Sequence, residues 1–477
     1  MCLILGACGV RLGSGISCVS RVKNALLRCG LKRVSPPAAT GRIDHHFAAF
    51  PRFLTPQRLV PRPEKFHQFI GGRHRYFCLT PICRCTGGPF TENRMSDLSL
   101  RHLQATSQLP ISSYFDAGLY QREQQKLFVN GPRYLGHELA VPHLGDYYAL
   151  PHEGEGRALV RNSAGIELIS NVCRHRQSTM LQGRGSLGSR PDSNIVCPLH
   201  RWTYNTSGEL IGAPHFEIDP CLNLNRYQTT TWNGLVFEAN GRDVTGDMAP
   251  LRAAPAQQGL MADLDFSGYQ LDKVHLHECN YNWKTFIEVY LEDYHVGPFH
   301  PGLGSFVTTH DLLWDLSPHY SVQTVGVSDK LGKPGTDTYK KWHDVVLQYR
   351  KGVPPKYGAI WLTYYPNVMV EWYPHVLVVS TLHPQGPDKT LNVVEFFYPE
   401  EICAFEREFI EAQQAAYMET CVEDDEIALR MDAGRKALMQ RGDNEFGPYQ
   451  SPMEDGMQHF HEWYRREMGA SKTTQMI

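Results

Sequence analysis

Two histidines five residues apart, His295 and His300, have the residue type of metal ligands and follow a group of acidic residues. On an ideal helix a spacing of five residues separates two side chains by about 140°, so a continuous helix could not direct both at one ion. Gly297-Pro298 lies between them and predicts a helix break, after which His300 can fold back toward His295. Two imidazoles and one carboxylate with open positions form the facial triad of non-haem Fe(II) sites. The pattern favours a mononuclear iron; the alternative is that one histidine belongs to the core or supports a ligand.

A second group of candidate ligands lies upstream, where Cys173 precedes His175 by two residues and Cys197 precedes His200 by three. Zinc accepts two thiolates and two imidazoles, but zinc sites usually carry Cys pairs and His pairs separately. Mixed pairs are typical of a Rieske [2Fe–2S] cluster, in which two thiolates hold one iron and two imidazoles hold the other. The spacing therefore favours this cluster over zinc and over four unrelated surface residues.

The elements around these residues predict two regions of β-sheet. Short strand patterns separated by Gly, Pro and Asn turns run through residues 137–245 and predict a small antiparallel domain, with a loop rich in Gly and Ser at residues 183–193. A strand at residues 270–279 and a helix at residues 281–294 follow. Four further strand patterns lie between residues 359 and 397, and the chain is predicted helical from residue 399.

Composition limits the classes of function. The 477 residues carry a net charge of −3 and include no run of about 18 apolar residues, so neither a nucleic-acid partner nor a transmembrane helix is expected. Residues 1–94 hold 15 Lys and Arg against three acids, which predicts a disordered basic leader or an extension outside the native protein. Clustered Cys and His without a clean secretory signal predict a reducing, cytoplasmic location.

The motifs resemble those of one family, the α subunits of Rieske non-haem iron oxygenases. The resemblance runs from about residue 113 to residue 464. It is carried by the following segments: Asn171-Val172-Cys173-Arg174-His175-Arg176, Cys197-Pro198-Leu199-His200-Arg201-Trp202-Thr203-Tyr204, Tyr134-Leu135-Gly136-His137 and Gly145-Asp146-Tyr147. It implies an α+β fold class, with an N-terminal antiparallel β Rieske domain and a helix-grip-like α+β catalytic domain built on a large antiparallel sheet. We expect residues 95–136 to be a helical segment packed on the catalytic domain, residues 137–245 to be the Rieske domain and residues 246–477 the catalytic domain.

The resemblance also implies roles for individual acids. Residues 422–427 are similar to the family's late Glu-Asp motif, which makes Asp424 the third iron ligand, with Asp425 as its competitor and an acidic helix start as the alternative. Glu292 is expected to connect His295 to a cluster histidine, His200, of a neighbouring subunit, which implies a homotrimer. Asp293 is expected to be a solvated helix acid.

The substrate is less closely indicated. Most of the family has Asp where this chain has Glu292, and the Glu resembles the branch that oxidises quaternary ammonium compounds such as choline, betaines and carnitine. Val289 departs from the Asn of that branch, which weakens the inference. Aromatic residues of the second β region could form a cation–π cage or stack on an aromatic substrate: Trp361, Tyr364, Tyr365, Trp372 and Tyr373.

The predicted function is that of a terminal oxygenase, which activates O2 at a mononuclear Fe(II) with electrons from the Rieske cluster. NAD(P)H is expected to act through a separate reductase, with or without a ferredoxin, because no Rossmann Gly motif or second ferredoxin-type Cys set is evident. The expected reaction is hydroxylation or demethylation of a small organic substrate, with a quaternary or N-methylated amine preferred. The alternatives are an aromatic-ring cis-dihydroxylating dioxygenase, a Rieske electron carrier without catalytic iron and a zinc-binding structural protein.

Overall fold

The computed structural model describes residues 107–190, 193–253 and 255–469, and the predicted leader and residues 95–106 lie outside the described residues. Strands are numbered β1–β18 and α-helices α1–α11 in chain order. No helix in these described ranges combines the length and apolar composition needed to cross a bilayer.

The first part of the chain forms three small antiparallel sheets. Strands β1, β11 and β10 form one, β5, β2, β3, β4 and β9 form another, and β6, β7 and β8 form the third. The bounds are β1 Arg133–His137, β2 Asp146–Ala149, β3 Arg157–Asn162, β4 Gly165–Ser170, β5 Arg184–Ser186, β6 Asn194–Val196, β7 Thr203–Asn205, β8 Leu210–Gly212, β9 Arg226–Tyr227, β10 Thr229–Trp232 and β11 Leu235–Glu238. The predicted loop at residues 183–193 is therefore partly wrong, because β5 pairs with β2 there.

The second part is organised on one antiparallel sheet of seven strands in the order β12-β18-β17-β16-β15-β14-β13. The bounds are β12 Tyr269–Cys279, β13 Val307–Ser317, β14 Tyr320–Val327, β15 Ala359–Tyr364, β16 Val368–Tyr373, β17 Val376–Gly386 and β18 Lys389–Pro399. Branched and aromatic residues dominate these strands, as suits a sheet that is covered on both faces.

Helices lie on both faces of the large sheet, with most of them on the face away from the small β-sheets. Two short helices, α1 and α2, lead into a π-helical turn at Gln124–Val129, and the rest follow the β domain. The bounds are α1 Ser112–Phe115, α2 Ala117–Glu123, α3 Val244–Ala253, α4 Pro255–Asp263, α5 Trp283–Tyr290, α6 Val296–Phe299, α7 Leu303–Phe306, α8 Asp337–Tyr349, α9 Glu400–Phe405, α10 Arg407–Arg441 and α11 Asp455–Met468. Single 3₁₀ turns lie at Glu138–Ala140 and Pro151–Glu153.

Alternation along the strands separates the two faces of the sheet. On β17, Val378 packs among helical residues such as Phe409 of α10, whereas its neighbour Val379 packs with Leu159 of the β domain. The same alternation is expected from the period-2 geometry of a strand. Helix α10 therefore lies against one face of the sheet, and the opposite face contacts the small β-sheets. The predicted α+β fold class, with its large antiparallel sheet, is confirmed.

Candidate active site

The four predicted cluster ligands occupy two matching loops. One loop follows β4 and carries Cys173 and His175; the other joins β6 to β7 and carries Cys197 and His200. In each loop the backbone amide four residues after the cysteine donates to the cysteine carbonyl, at 3.1 Å in both cases. The loops bring the imidazole rings of His175 and His200 to a centroid separation of 4.7 Å.

The chemistry of these loops fits a Rieske cluster. Both thiols are buried, at 1% and 2% exposure for Cys173 and Cys197. The Nδ1 atom of His175 is also buried and has no hydrogen-bond partner among the described residues. Because buried polar atoms are normally satisfied, an unpartnered imidazole nitrogen beside two buried thiols is what a metal cluster would complete. The Tyr204 hydroxyl lies 3.5 Å from the Cys173 sulfur, from which it can stabilise a cluster thiolate.

The two downstream histidines flank a single helical turn. Helix α5 already ends at Tyr290, and His295 and His300 are the residues before and after α6, Val296–Phe299. Gly297 and Pro298 lie inside that turn, so the prediction that they break the helix is wrong. The break lies earlier, in residues 291–294. Pro298 does not interrupt the second helix, because Pro is tolerated within the first turn of a helix.

The donor atoms of the predicted triad converge on one point. The Nε2 atoms of His295 and His300 lie 2.9 Å apart. Asp424 Oδ1, on α10, lies 3.0 Å from His300 Nε2 and 3.4 Å from His295 Nε2. Donors on one face of an octahedron with bonds of about 2.1 Å are separated by about 3 Å. The set therefore fits the two-His-one-carboxylate face of a mononuclear iron.

The competing acid, Asp425, points elsewhere. Its carboxylate accepts hydrogen bonds from His277 Nε2 at 2.8 Å and from the Tyr281 hydroxyl at 2.7 Å. Since successive residues on a helix project about 100° apart, only one of the two acids can face the histidines. The geometry supports Asp424 as the ligand and gives Asp425 a role in holding α10 against β12.

Acidic side chains behind the imidazoles orient both rings. Glu292 accepts a hydrogen bond from His295 Nδ1, and Glu423 accepts one from His300 Nδ1 at 2.7 Å. These bonds leave each Nε2 directed at the common point. Burial lowers the pKa of His295, but hydrogen bonds with Asp424 and Glu292 outweigh burial and raise it to about 10. The surroundings therefore favour positive charge between the imidazoles, which a divalent cation supplies.

The expectation that Asp293 is a solvated helix acid is wrong. Asp293 is 4% exposed, lies in the turn after α5 and accepts a hydrogen bond from the Gln323 amide. Burial raises its pKa to about 7. It lines the same cavity as the triad, whereas its neighbour Tyr294 is exposed.

A cavity with a volume of about 90 Å³ opens beside the triad. Its walls are mostly apolar and aromatic, and they include Phe286, Val289, Tyr290, Trp342, Trp361, Tyr373 and Tyr417. Of the five aromatic residues predicted for the pocket, Trp361 and Tyr373 line it. Tyr364 and Trp372 pack on the opposite face of the sheet, and Tyr365 packs against α11, where its hydroxyl bonds His459.

Sequence reasoning missed several residues that line this cavity, among them Tyr290, Glu371 and Tyr417. A signal existed for Glu371, because it is the single charged residue in the apolar sequence of strand β16. In the structure its side chain is 1% exposed. A lone acid in a buried strand is seldom tolerated without a purpose. Tyr417 lies seven residues before Asp424 on α10, and no local pattern distinguishes it from a core residue.

Comparison with known proteins is consistent with this geometry. Residues 134–226 match the family model of the Rieske [2Fe-2S] domain, and residues 266–470 match that of the ring hydroxylating alpha subunit catalytic domain. The chain is 66% identical to a putrescine 2-hydroxylase of Ralstonia nicotianae over 376 residues, covering 78% of this chain and all of the relative. It is 55% identical to a putrescine 2-hydroxylase of Bordetella bronchiseptica over 433 residues, covering 89% and 97% of the two chains. A crystal structure of a quaternary ammonium Rieske monooxygenase with L-carnitine superposes with a TM-score of 0.58 at 18% identity, over 79% of this chain and all of the other.

The fold and the two metal-ligand sets define an oxygenase with a Rieske cluster and a separate mononuclear iron. The chain belongs to the family of Rieske oxygenase α subunits. It is accordingly a terminal oxygenase that receives electrons from NAD(P)H through a separate reductase and hydroxylates or demethylates a small organic substrate. The predicted family, cofactors and class of reaction are confirmed.

Proposed function

We propose that this oxygenase hydroxylates a short aliphatic diamine, with putrescine as the first candidate and carbon 2 as the site of reaction. The observation that carries the proposal is the small aromatic cavity that ends at the triad. A cavity of about 150 Å³ is known to hold a benzene ring, so a volume of about 90 Å³ favours a slim aliphatic chain over a fused aromatic ring system. The two relatives with 66% and 55% identity are putrescine 2-hydroxylases, which supports the same substrate class.

The residue roles proposed from the sequence are retained. Four residues hold the cluster in a domain of about residues 137–245: Cys173, His175, Cys197 and His200. His295, His300 and Asp424 hold the iron in a domain that begins near residue 246, with residues 107–136, the described part of the predicted helical segment, packed on it. When bound, the cluster supplies electrons and the iron activates O2. The chain itself orients the imidazoles through Glu292 and Glu423 and keeps bulk water from the reacting carbon with the aromatic walls.

Glu292 is proposed to connect two chains of a homotrimer. One carboxylate oxygen binds His295 Nδ1, and the side chain retains 14% exposure, so a group from outside the chain can reach it. His200, the proposed cluster ligand, is exposed next to Leu199, which is itself 55% exposed. Tyr294, beside Glu292, is 58% exposed. Apolar side chains exposed next to both groups are typical of surfaces that are covered by another subunit.

The substrate proposal is tested by product analysis. The holoenzyme with its reductase is expected to convert putrescine to a monohydroxylated diamine, with one O2 consumed per product and the oxygen atom traced by ¹⁸O2. Naphthalene and L-carnitine serve as comparison substrates. Turnover of either with better coupling than putrescine would refute the proposal.

The role of Glu292 is tested with Glu292→Ala. The variant is expected to keep the visible absorption of the cluster and about three iron atoms per chain. Its turnover is expected to fall by about 100-fold or more, because a group that supports a ligand and connects two centres is lost. In single-turnover mixing, the reduced cluster should stay reduced after O2 and substrate are added. Glu426→Ala removes an exposed carboxylate of α10 and should behave as wild type; normal turnover in Glu292→Ala would contradict the assignment.

A further inference from the structure

A buried carboxylate without a cationic neighbour lies in the wall of the substrate cavity. Glu371 is 1% exposed on β16, and its two oxygens accept hydrogen bonds from the hydroxyls of Tyr373, at 2.8 Å, and Tyr417, at 2.9 Å. The Trp361 indole donates in turn to the Tyr373 hydroxyl at 3.0 Å. These bonds hold the carboxylate in one orientation, with the aromatic rings around it.

Two other buried glutamates have their charge compensated. Glu123 pairs with Lys284 and Glu288 with Arg435. Among the residues that the structure describes, no Lys, Arg or His nitrogen lies within 4.0 Å of a Glu371 oxygen. Burial and the charge of Asp424 raise the pKa of Glu371 to about 7 against the effect of its two hydrogen bonds. An unpaired buried charge is unfavourable, so a cation held in the cavity beside Glu371 would stabilise its ionised form.

A second residue with a buried polar atom lines the same cavity. The hydroxyl of Tyr290 is buried and has no hydrogen-bond partner in the described part of the chain. Tyr290 and Glu371 line the same cavity, and burial and the charge of Glu371 raise the pKa of Tyr290. A primary ammonium group has three N–H donors, and the Glu371 and Tyr290 oxygens can accept them. The faces of nearby aromatic rings add cation–π attraction.

We propose that Glu371, together with Tyr290, is the binding site for a primary ammonium group of the substrate. The inference rests on the proposed function, in which the substrate is a diamine. Because Glu371 and the triad line one cavity, fixing one nitrogen at Glu371 determines which carbon of the chain faces the triad. A primary amine offers N–H donors to this site, whereas a quaternary amine offers none.

The test compares the binding of a charged and a neutral ligand of the same length. Anaerobic calorimetry measures the Kd of putrescine and of 1,4-butanediol for the holoenzyme and for Glu371→Gln, which keeps the shape of the side chain and removes its charge. The Kd of putrescine is expected to rise by about 30-fold or more, and that of the diol to change by less than about threefold. Tyr290→Phe, which leaves Glu371 in place, is expected to raise the Kd of putrescine by about tenfold.

Glu395→Gln is the matched control. Glu395 lies on β18, is also 1% exposed, has its pKa raised to about 7 by burial and accepts a hydrogen bond from the Tyr134 hydroxyl. It lies outside the substrate cavity, so its variant should bind both ligands as wild type does.

The outcomes separate the inference from the proposed function. Wild-type affinity for putrescine in both Glu371→Gln and Tyr290→Phe would overturn the inference, even if the wild-type enzyme hydroxylates putrescine. If the wild-type enzyme binds putrescine through Glu371 but forms no hydroxylated product, the ammonium site stands and the proposed reaction is wrong. An equal loss of affinity in Glu395→Gln would also overturn the inference, because the effect would then follow from removing any buried charge.

Discussion

Exchanging each of two adjacent acids for its amide separates the proposed iron ligand, Asp424, from its neighbour Asp425 on α10. Asp424 Oδ1 lies 3.0 Å and 3.4 Å from the two histidine Nε2 atoms, whereas Asp425 binds His277 and Tyr281. Asp424→Asn removes an anionic donor from the iron. Iron content is expected to fall from about three to about two atoms per chain, with the cluster spectrum unchanged and turnover lost.

Asp425→Asn should instead lower the stability of the fold and leave the mononuclear iron in place. Hydrogen bonds to a charged group contribute about 1.5–3 kcal/mol each, but the Asp425 side chain is 26% exposed and Asn keeps one acceptor oxygen. The expected cost is therefore about 2 kcal/mol, which lowers Tm by about 3 °C for a chain of this size. Iron content and most of the activity should remain.

Metal analysis, visible spectra and thermal unfolding of the purified variants distinguish the two acids. Tyr281→Phe is the matched control, because it removes one of the same hydrogen bonds from Asp425 without changing any charge. It should lower stability by about 1 kcal/mol and keep the iron. Loss of mononuclear iron in Asp425→Asn, with iron kept in Asp424→Asn, would refute the assignment and the register of α10 on which it rests.

Two further predictions concern the cluster and the stability of the fold. Tyr204→Phe removes the hydroxyl that lies 3.5 Å from the Cys173 sulfur. The reduced cluster then loses about 0.5–1 kcal/mol of stabilisation, which should lower its reduction potential by about 20–40 mV. Spectroelectrochemistry measures this shift, and an unchanged potential would contradict the role of the Tyr204 hydroxyl. Burial raises the pKa of Glu288, but Arg435 and the hydrogen bond from His461 outweigh burial and lower it to about 2, below the ordinary value of 4.5. The stability that Glu288 contributes is therefore present above about pH 4.5 and lost toward pH 2, by about 3 kcal/mol, and urea unfolding of Glu288→Gln should lack this acid loss.

Local sequence was informative wherever spacing alone carries the chemistry. The mixed Cys and His pairs predict their cluster because each pair lies in one tight loop. The strand patterns of β15 to β18 follow from continuous apolar runs rich in branched and aromatic residues. The position of the helix break was missed, because a Gly-Pro pair that can interrupt a helix can also occupy the first turn of a new one. The burial of Asp293 was missed because a carboxylate is normally solvated, and only its contact with Gln323 on β14 explains the exception.

The sequence by itself determined the two metal-ligand motifs, the family and the oxygenase chemistry. The tertiary structure decided which of two adjacent acids faces His295 and His300, since a rotation of about 100° on α10 separates them and helix register depends on packing. It also decided which aromatic residues enclose the cavity and brought Glu371 on β16 beside Tyr417 on α10. Those residues are far apart in the chain, and only the packing of α10 against the sheet brings their side chains into contact.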